Sequence, residues 1–312
     1  GLFYLNLSLK DFPGDAQYIG RNIKLQQPQF KPVAGLKDGV WDIINVPRTD
    51  ELLSSNGSGL YRVRGDKSEL LMSFEEHIIT LHYSNKDSNR VYIGLRYGGL
   101  ATARYNSEND TWVKEGKIPG IDEYIKSIEE TEDGSLWLSA KYEKYLIRVK
   151  FLQTNSLTKQ RDLSKPEIKR FGQAEGLPDI KTVYSIVING QLFAYPGSAI
   201  YRFDNHRNIF IPDSTFFATP DTSEYIEIIT EDKSGNIWFE FDKLLHVSKR
   251  IEDGSYKTET APFRRIDRQE FFNIYPEKNG IVWYGDGNAL IRYDAGVNKN
   301  YEADVSALIR RV

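Results

Sequence analysis

The sequence predicts an all-β protein, a β-propeller built from four-stranded antiparallel blades. Three observations predict it. One unit recurs six times along the chain: an alternating strand, a polar turn, an aromatic-centred strand, a loop and a closing apolar strand. Within each unit the apolar residues alternate at period two and the turns carry Asp and Gly, the pattern of half-buried strands and tight turns. No stretch shows a capped, sustained 3.6-residue period, so helices are expected to be few and short. A period of roughly 40–50 residues with four short strands per unit is the signature of propeller blades. A single blade cannot bury both of its faces, and blades packed face to face around an axis can.

The elements follow in chain order. Gly1-Leu-Phe-Tyr-Leu5 reads as a third strand lacking its first two, and residues 18–30 as its fourth, so residues 1–30 form a partial blade. The inner strands of the complete units centre on Ile43, Leu81, Ile128, Ile186, Ile228 and Ile274, spaced 38, 47, 58, 42 and 46 residues apart. The second strands centre on Leu53, Tyr92, Trp137, Phe193, Trp238 and Trp283. The third strands read Leu60–Val63, Leu100–Ala103, Leu146–Val149, Ile200–Phe203, Leu244–Val247 and Leu290–Tyr293. Less regular segments such as Lys169–Phe171 and Phe263–Ile266 supply fourth strands. Six complete units and a partial one predict seven blades over residues 1–299. A count of six follows instead if the N-terminal strands close the last unit. Trp137, Trp238 and Trp283 are expected to be anchors between blades. The longest spacing holds Lys159–Pro166, expected as a long solvated hairpin.

The chain has 312 residues, of which 40% are hydrophobic and 13% aromatic, enough to bury a core. Net charge is −3 with no long run of either sign, so neither nucleic acid nor direct membrane contact is expected. There is no cysteine, which excludes disulfides, Cys-ligated zinc and a cysteine nucleophile. No apolar run reaches membrane-spanning length and Gly1–Asn6 lacks a basic start, so any signal or anchor is expected outside these residues.

The repeat resembles the two-component regulator propeller of bacterial sensor proteins. The resemblance rests on Glu231-Asp-Lys-Ser-Gly-Asn-Ile-Trp238, Glu132-Asp-Gly-Ser-Leu-Trp137 and Glu277-Lys-Asn-Gly-Ile-Val-Trp283, with third strands such as Gly59-Leu-Tyr-Arg62. Gly176-Leu-Pro178 and Gly35-Leu-Lys-Asp-Gly39, each ahead of an inner strand, also fit. It covers nearly the whole chain, although Leu53, Tyr92 and Phe193 stand where three repeats lack the Trp. Pro262-Phe-Arg-Arg-Ile266 and Ala307–Val312 look like the passage into a three-Y immunoglobulin-like domain, so residues 300–312 are expected to begin a linker. The resemblance implies an extracytoplasmic, periplasmic sensor domain of a membrane-anchored signalling protein whose effector lies elsewhere, often a histidine kinase. It implies partners in adjacent propeller and three-Y domains and in a homodimer. It supplies no catalytic residues.

The remaining chemistry points to binding rather than turnover. Asp133-Gly-Ser-Leu-Trp137 departs from the sialidase Asp-box, in which one residue separates Asp from Gly. His77 and His82 are five apart on a strand and point to opposite faces, and His206 and His246 are isolated, so neither a metal site nor a cofactor is expected. In a propeller, the loops after the second strands and those leading into the inner strands share one rim. The first set contributes Asn56, Arg96, Tyr97, Lys141 and Tyr142, then Tyr195, Asp242, Lys243, Asp286 and Asn288. The second contributes Trp41, His77, Tyr124, Tyr184, Tyr225 and Phe271. Aromatic faces beside amide and charged groups suit a small ligand such as an oligosaccharide. The competing readings are a glycan-active hydrolase or lyase and a protein-docking propeller. Asp42, Thr80, Ser127, Ser185, Glu227 and Asn273 precede the inner-strand centres and are expected to face a hydrated channel.

Overall fold

The computed structural model describes residues 2–4, 30–36, 39–47, 49–155, 160–217, 225–263, 266, 271–286 and 290–297. The chain is an all-β propeller with antiparallel blades, and among the described residues there are six blades rather than seven. Five are four-stranded sheets and the sixth has three strands. Blade 1 runs Val40–Asn45, Glu51–Asn56, Gly59–Arg64 and Lys67–Ser73, and blade 2 runs Ile78–Tyr83, Arg90–Leu95, Leu100–Asn106 and Thr111–Lys117. Blade 3 runs Ile125–Glu130, Leu136–Ala140, Leu146–Lys150 and Glu167–Phe171. Blade 4 runs Tyr184–Ile188, Gln191–Tyr195, Ile200–Asp204 and Ile209–Asp213. Blade 5 runs Ile226–Glu231, Ile237–Phe241, Leu244–Arg250 and Tyr256–Glu259. Blade 6 runs Phe271–Pro276, Ile281–Asp286 and Leu290–Asp294. Every expected centre of an inner, second or third strand lies inside one of these strands.

The chain forms two compact units. The first comprises residues 1–130, 134–141 and 148–168, with blades 1 and 2 and the inner two strands of blade 3. The second comprises residues 131–133, 142–147 and 169–312, with blades 4 to 6.

Of the partial blade expected over residues 1–30, the described residues show one two-stranded pairing. Phe3–Tyr4 pairs with Lys31–Pro32, and Val33 and Leu36 pack on Val63 of blade 1. Residues 5–29 and the linker expected over 300–312 lie outside the described residues. The outer strand of blade 5 is Tyr256–Glu259, and the segment expected as strand at Phe263 begins with a three-residue 3-10 turn, Ala261–Phe263. Pro262 has no amide to give a ladder there.

The acidic turn has a structural purpose. Asp232 accepts the amides of Ser234 and Asn236 at 2.8 and 2.9 Å, the Asn236 side-chain amide at 2.9 Å and the Trp238 indole N–H at 2.8 Å. One carboxylate therefore closes the turn and fixes the indole. Trp238, 1% exposed, then packs on Phe263, Tyr284 and Tyr293, as expected of an anchor between blades 5 and 6. Glu277 accepts the Trp283 indole N–H at 2.6 Å in the same way.

Five of the six inner strands carry a bulge after their first residue, leaving Trp41, Ile79, Lys126, Glu227 and Phe272 as the extra residues; blade 4 has none. A bulge shifts the phase of everything after it by one. Glu227 therefore corresponds to Trp41, and the blade 5 counterpart of Asp42 is Ile228, opposite the buried Glu240. At this position two residues also serve the packing of the blades. The Asp42 carboxylate accepts Thr80 Oγ1 at 3.1 Å and the Leu81 amide at 2.7 Å from blade 2, and Ser185 is buried. Burial pushes the Asp42 carboxyl above its ordinary value, against the pull of those hydrogen bonds.

A second tie joins blades 2 and 3. Glu130, 0% exposed, accepts Ser84 Oγ at 3.0 Å, the Asn85 amide at 2.5 Å and Arg161 at 3.0 Å. Arg161, 9% exposed, also donates to the Tyr92 hydroxyl at 2.8 Å. His82 Nε2 stands 3.7 Å from Glu130, an electrostatic contact rather than a hydrogen bond. Arg161 comes from the excursion expected to be a solvated hairpin. The excursion does form a hairpin, Gln153–Asn155 with Gln160–Arg161, but its guanidinium is driven inward by the buried carboxylate.

Burial alone would raise the Glu130 pKa, but His82, Arg161 and the Asn85 amide together hold it below its ordinary value. Its contribution to stability is therefore complete above about pH 4.5 and is lost as pH falls below that. Glu130→Ala leaves a buried guanidinium unpaired and is expected to cost about 3–5 kcal/mol in urea unfolding at neutral pH. The deficit is expected to shrink as pH falls through the acid limb of the wild-type profile; a deficit independent of pH would contradict this account.

Candidate ligand-binding rim

Ladder register places both expected loop sets at one end of each blade. Ile78 pairs with Leu95, and the Arg96 amide donates to the His77 carbonyl at 2.9 Å. Ile125 pairs with Ala140, and the Lys141 amide donates to the Tyr124 carbonyl at 2.9 Å. Val40 pairs with Asn56, Tyr184 with Tyr195, Ile226 with Phe241 and Phe271 with Asp286. The acidic turns lie at the opposite end.

In the first unit this register assembles four of the expected residues. Tyr97 and Tyr124 meet edge to face, with ring centroids 5.7 Å apart. The Arg96 guanidinium lies over the Tyr97 ring at 5.6 Å and the Lys141 ammonium over Tyr124 at 5.4 Å. Tyr124 is buried while Tyr97 is 65% exposed, so one tyrosine is a foundation and the other a platform. Such contacts hold two basic side chains beside an aromatic surface. Trp41, at the bulge of blade 1, is 53% exposed and shares no ring contact with this cluster among the described residues.

The platform is held rigidly, by residues that sequence reasoning passed over. The Leu95 amide donates to the Gly99 carbonyl at 2.9 Å. Gly99 has φ +68°, and a Cβ there would come within 1.7 Å of the Ile121 carbonyl oxygen. A Cβ on Gly98 would meet the ends of Glu76 and Lys117, which pair with each other at 3.0 Å. The Gly98-Gly99 doublet directly after Arg96-Tyr97 was the signal available in the sequence.

The second unit arranges its residues differently. Tyr184 and Tyr195 stack on each other at 5.5 Å against Ile226 and Phe239, turning their faces to the core rather than to solvent. Tyr225 is exposed and lies over Gly197. Asp242 and Lys243 form a tight turn with φ +52° and +58°. Tyr142, exposed, has φ +72°, and its amide donates to the hydroxyl of Thr182, itself at φ +62°. For a β-branched residue that φ is an outlier, and such strain collects at functional surfaces. Asn288 and the Asp286 side chain lie outside the described residues.

No protein-family model matches the sequence, and no curated protein does. The fold is nevertheless shared with solved structures. The extracellular domain assigned to a hybrid two-component system of B. thetaiotaomicron, BT3049, is similar over 86% of this chain with a TM-score of 0.62 and 16% identity. PorZ, a bacterial surface component of the type-IX secretion system of Porphyromonas gingivalis, matches over the same share with a TM-score of 0.62 and 13% identity. The chain thus has the propeller fold found in two-component sensor proteins, as the repeat resemblance led us to expect. It spans 35% and 41% of those two chains. Virginiamycin B lyase from Staphylococcus aureus also matches, with a TM-score of 0.59, 11% identity and coverage of 86% of this chain and 88% of that one. Sensors and lyases share the fold, so the fold does not choose between them.

Gly99→Ala is expected to destabilise the domain by about 1–3 kcal/mol more than Gly57→Ala in denaturant unfolding, because overpacking adds to left-handed strain. Gly57 has φ +55° but open space around it, so only the strain applies there.

Proposed function

We propose that this chain is the ligand-binding, sensory propeller of an extracytoplasmic signalling protein of the two-component regulator type, and that its ligand is a carbohydrate or similar small molecule. The observation that carries the reading is the Arg96–Tyr97–Tyr124–Lys141 surface: an exposed ring on a rigid loop, flanked by two cations, at the end of the blades where loops converge. The likeness to extracellular domains of two-component systems supports the sensory role. Among the described residues no helix is long and apolar enough to cross a membrane. Signalling then requires that ligand favour one arrangement of the larger protein over another, since equal binding to both shifts nothing.

A thermal-shift and calorimetric screen of oligosaccharides and metabolites tests this. A ligand at a hundredfold excess over its Kd stabilises the domain by about 2.7 kcal/mol. Tyr97→Ala should weaken binding at least tenfold without lowering the unliganded Tm, because the ring is exposed. A screen without ligands, or a ligand indifferent to Tyr97, would overturn the proposal.

A further inference from the structure

The ligand's charge is legible in the same surface; this inference rests on the binding function proposed above and goes beyond it. We infer that the rim of the first unit recognises an anionic oligosaccharide, one bearing carboxylate or sulfate groups on its sugar rings.

The loop after the second strand carries a basic residue followed by tyrosine in two consecutive blades: Arg96-Tyr97 in blade 2 and Lys141-Tyr142 in blade 3. In both, backbone pairing to the residue entering the inner strand fixes the basic position: Arg96 to His77, Lys141 to Tyr124. Arg96 pairs with no carboxylate among the described residues, and Glu76 Oε1 pairs with Lys117 at 3.0 Å. Arg96 is an exposed residue and its guanidinium lies over Tyr97, where its donors can reach a ligand. A neutral sugar would need the aromatic platform and hydroxyl partners such as amides or carboxylates. A pair of cations set on the two tyrosines adds a requirement that only an anionic ring satisfies: apolar C–H surface on Tyr97 and an anion within reach of Arg96 and Lys141. Planar guanidinium suits carboxylate and sulfate oxygens in two-point contact, and ammonium contributes a point charge. The close fit of Gly99 against Ile121 fixes the backbone of the loop that carries Arg96, so less ordering cost opposes binding there.

The test uses the described chain with three probes: tetragalacturonate for carboxylate, a heparin-derived tetrasaccharide for sulfate and cellotetraose as the neutral reference. One of the two anionic probes should bind at least about tenfold more tightly than cellotetraose and weaken several-fold between about 50 and 300 mM NaCl. Arg96→Gln and Lys141→Met should each reduce that binding about tenfold, Arg96→Lys should restore part of it, and Lys86→Gln at the opposite end of blade 2 should leave it unchanged. Both Arg96 variants should keep the wild-type Tm, because the residue is exposed. Cellotetraose binding as tight as the anions, or binding insensitive to Arg96 and Lys141, overturns the inference while leaving the binding function standing. Failure of all three probes overturns the inference, and the wider ligand screen then decides the binding function separately.

Discussion

The structure depends on one constraint: each blade presents two apolar faces and can cover neither by itself. Within the first unit, Leu53 and Leu60 of blade 1 pack against Ile78, Ile93 and Leu95 of blade 2. Within the second, Trp238 and Val247 of blade 5 pack against Ile274 and Tyr284 of blade 6. Buried apolar surface supplies the driving force, and a few polar ties set the register. Asp42 reaches across to Thr80 and Leu81, and Glu130 holds Ser84, Asn85 and Arg161. The ties are costly to bury, so they specify which residues face each other more than they add stability.

This packing divides the two ends of each blade by task. At one end carboxylates close turns and hold tryptophans, as Asp232 and Glu277 do. Their charges are spent on structure. At the other end, the Gly98-Gly99 doublet follows Arg96 and Tyr97, which are both exposed. Recognition chemistry therefore belongs where the strands begin.

The repeat was legible because period-two alternation and Asp-Gly turns are local, and they placed every inner, second and third strand. Blade number was not. The first residues carry a strand-like pattern, and Phe3–Tyr4 pairs with Lys31–Pro32, just beyond the fourth strand expected over residues 18–30; whether such a pair joins a blade depends on long-range pairing that no local pattern encodes. Arg161 was read as solvated because a basic residue in a polar segment normally is, and only the distant Glu130 reverses that. Glu227 was placed one position out of phase because a bulge is invisible to alternation counted from the strand centre. The rim was legible as a set of loops, but which tyrosines turn outward was not. Tyr97 lies two residues beyond its strand, whereas Tyr195 is the last paired residue of its own, opposite Tyr184 and in the buried cluster with Ile226 and Phe239.

Hydrogen–deuterium exchange of the domain with and without a saturating anionic oligosaccharide tests the central claim most directly. The account predicts slowed exchange at Arg96–Gly99, Tyr124 and Lys141, with the acidic turns of the same blades unchanged. Protection confined to those turns, around Glu132–Ser135 and Asp232–Asn236, would contradict it.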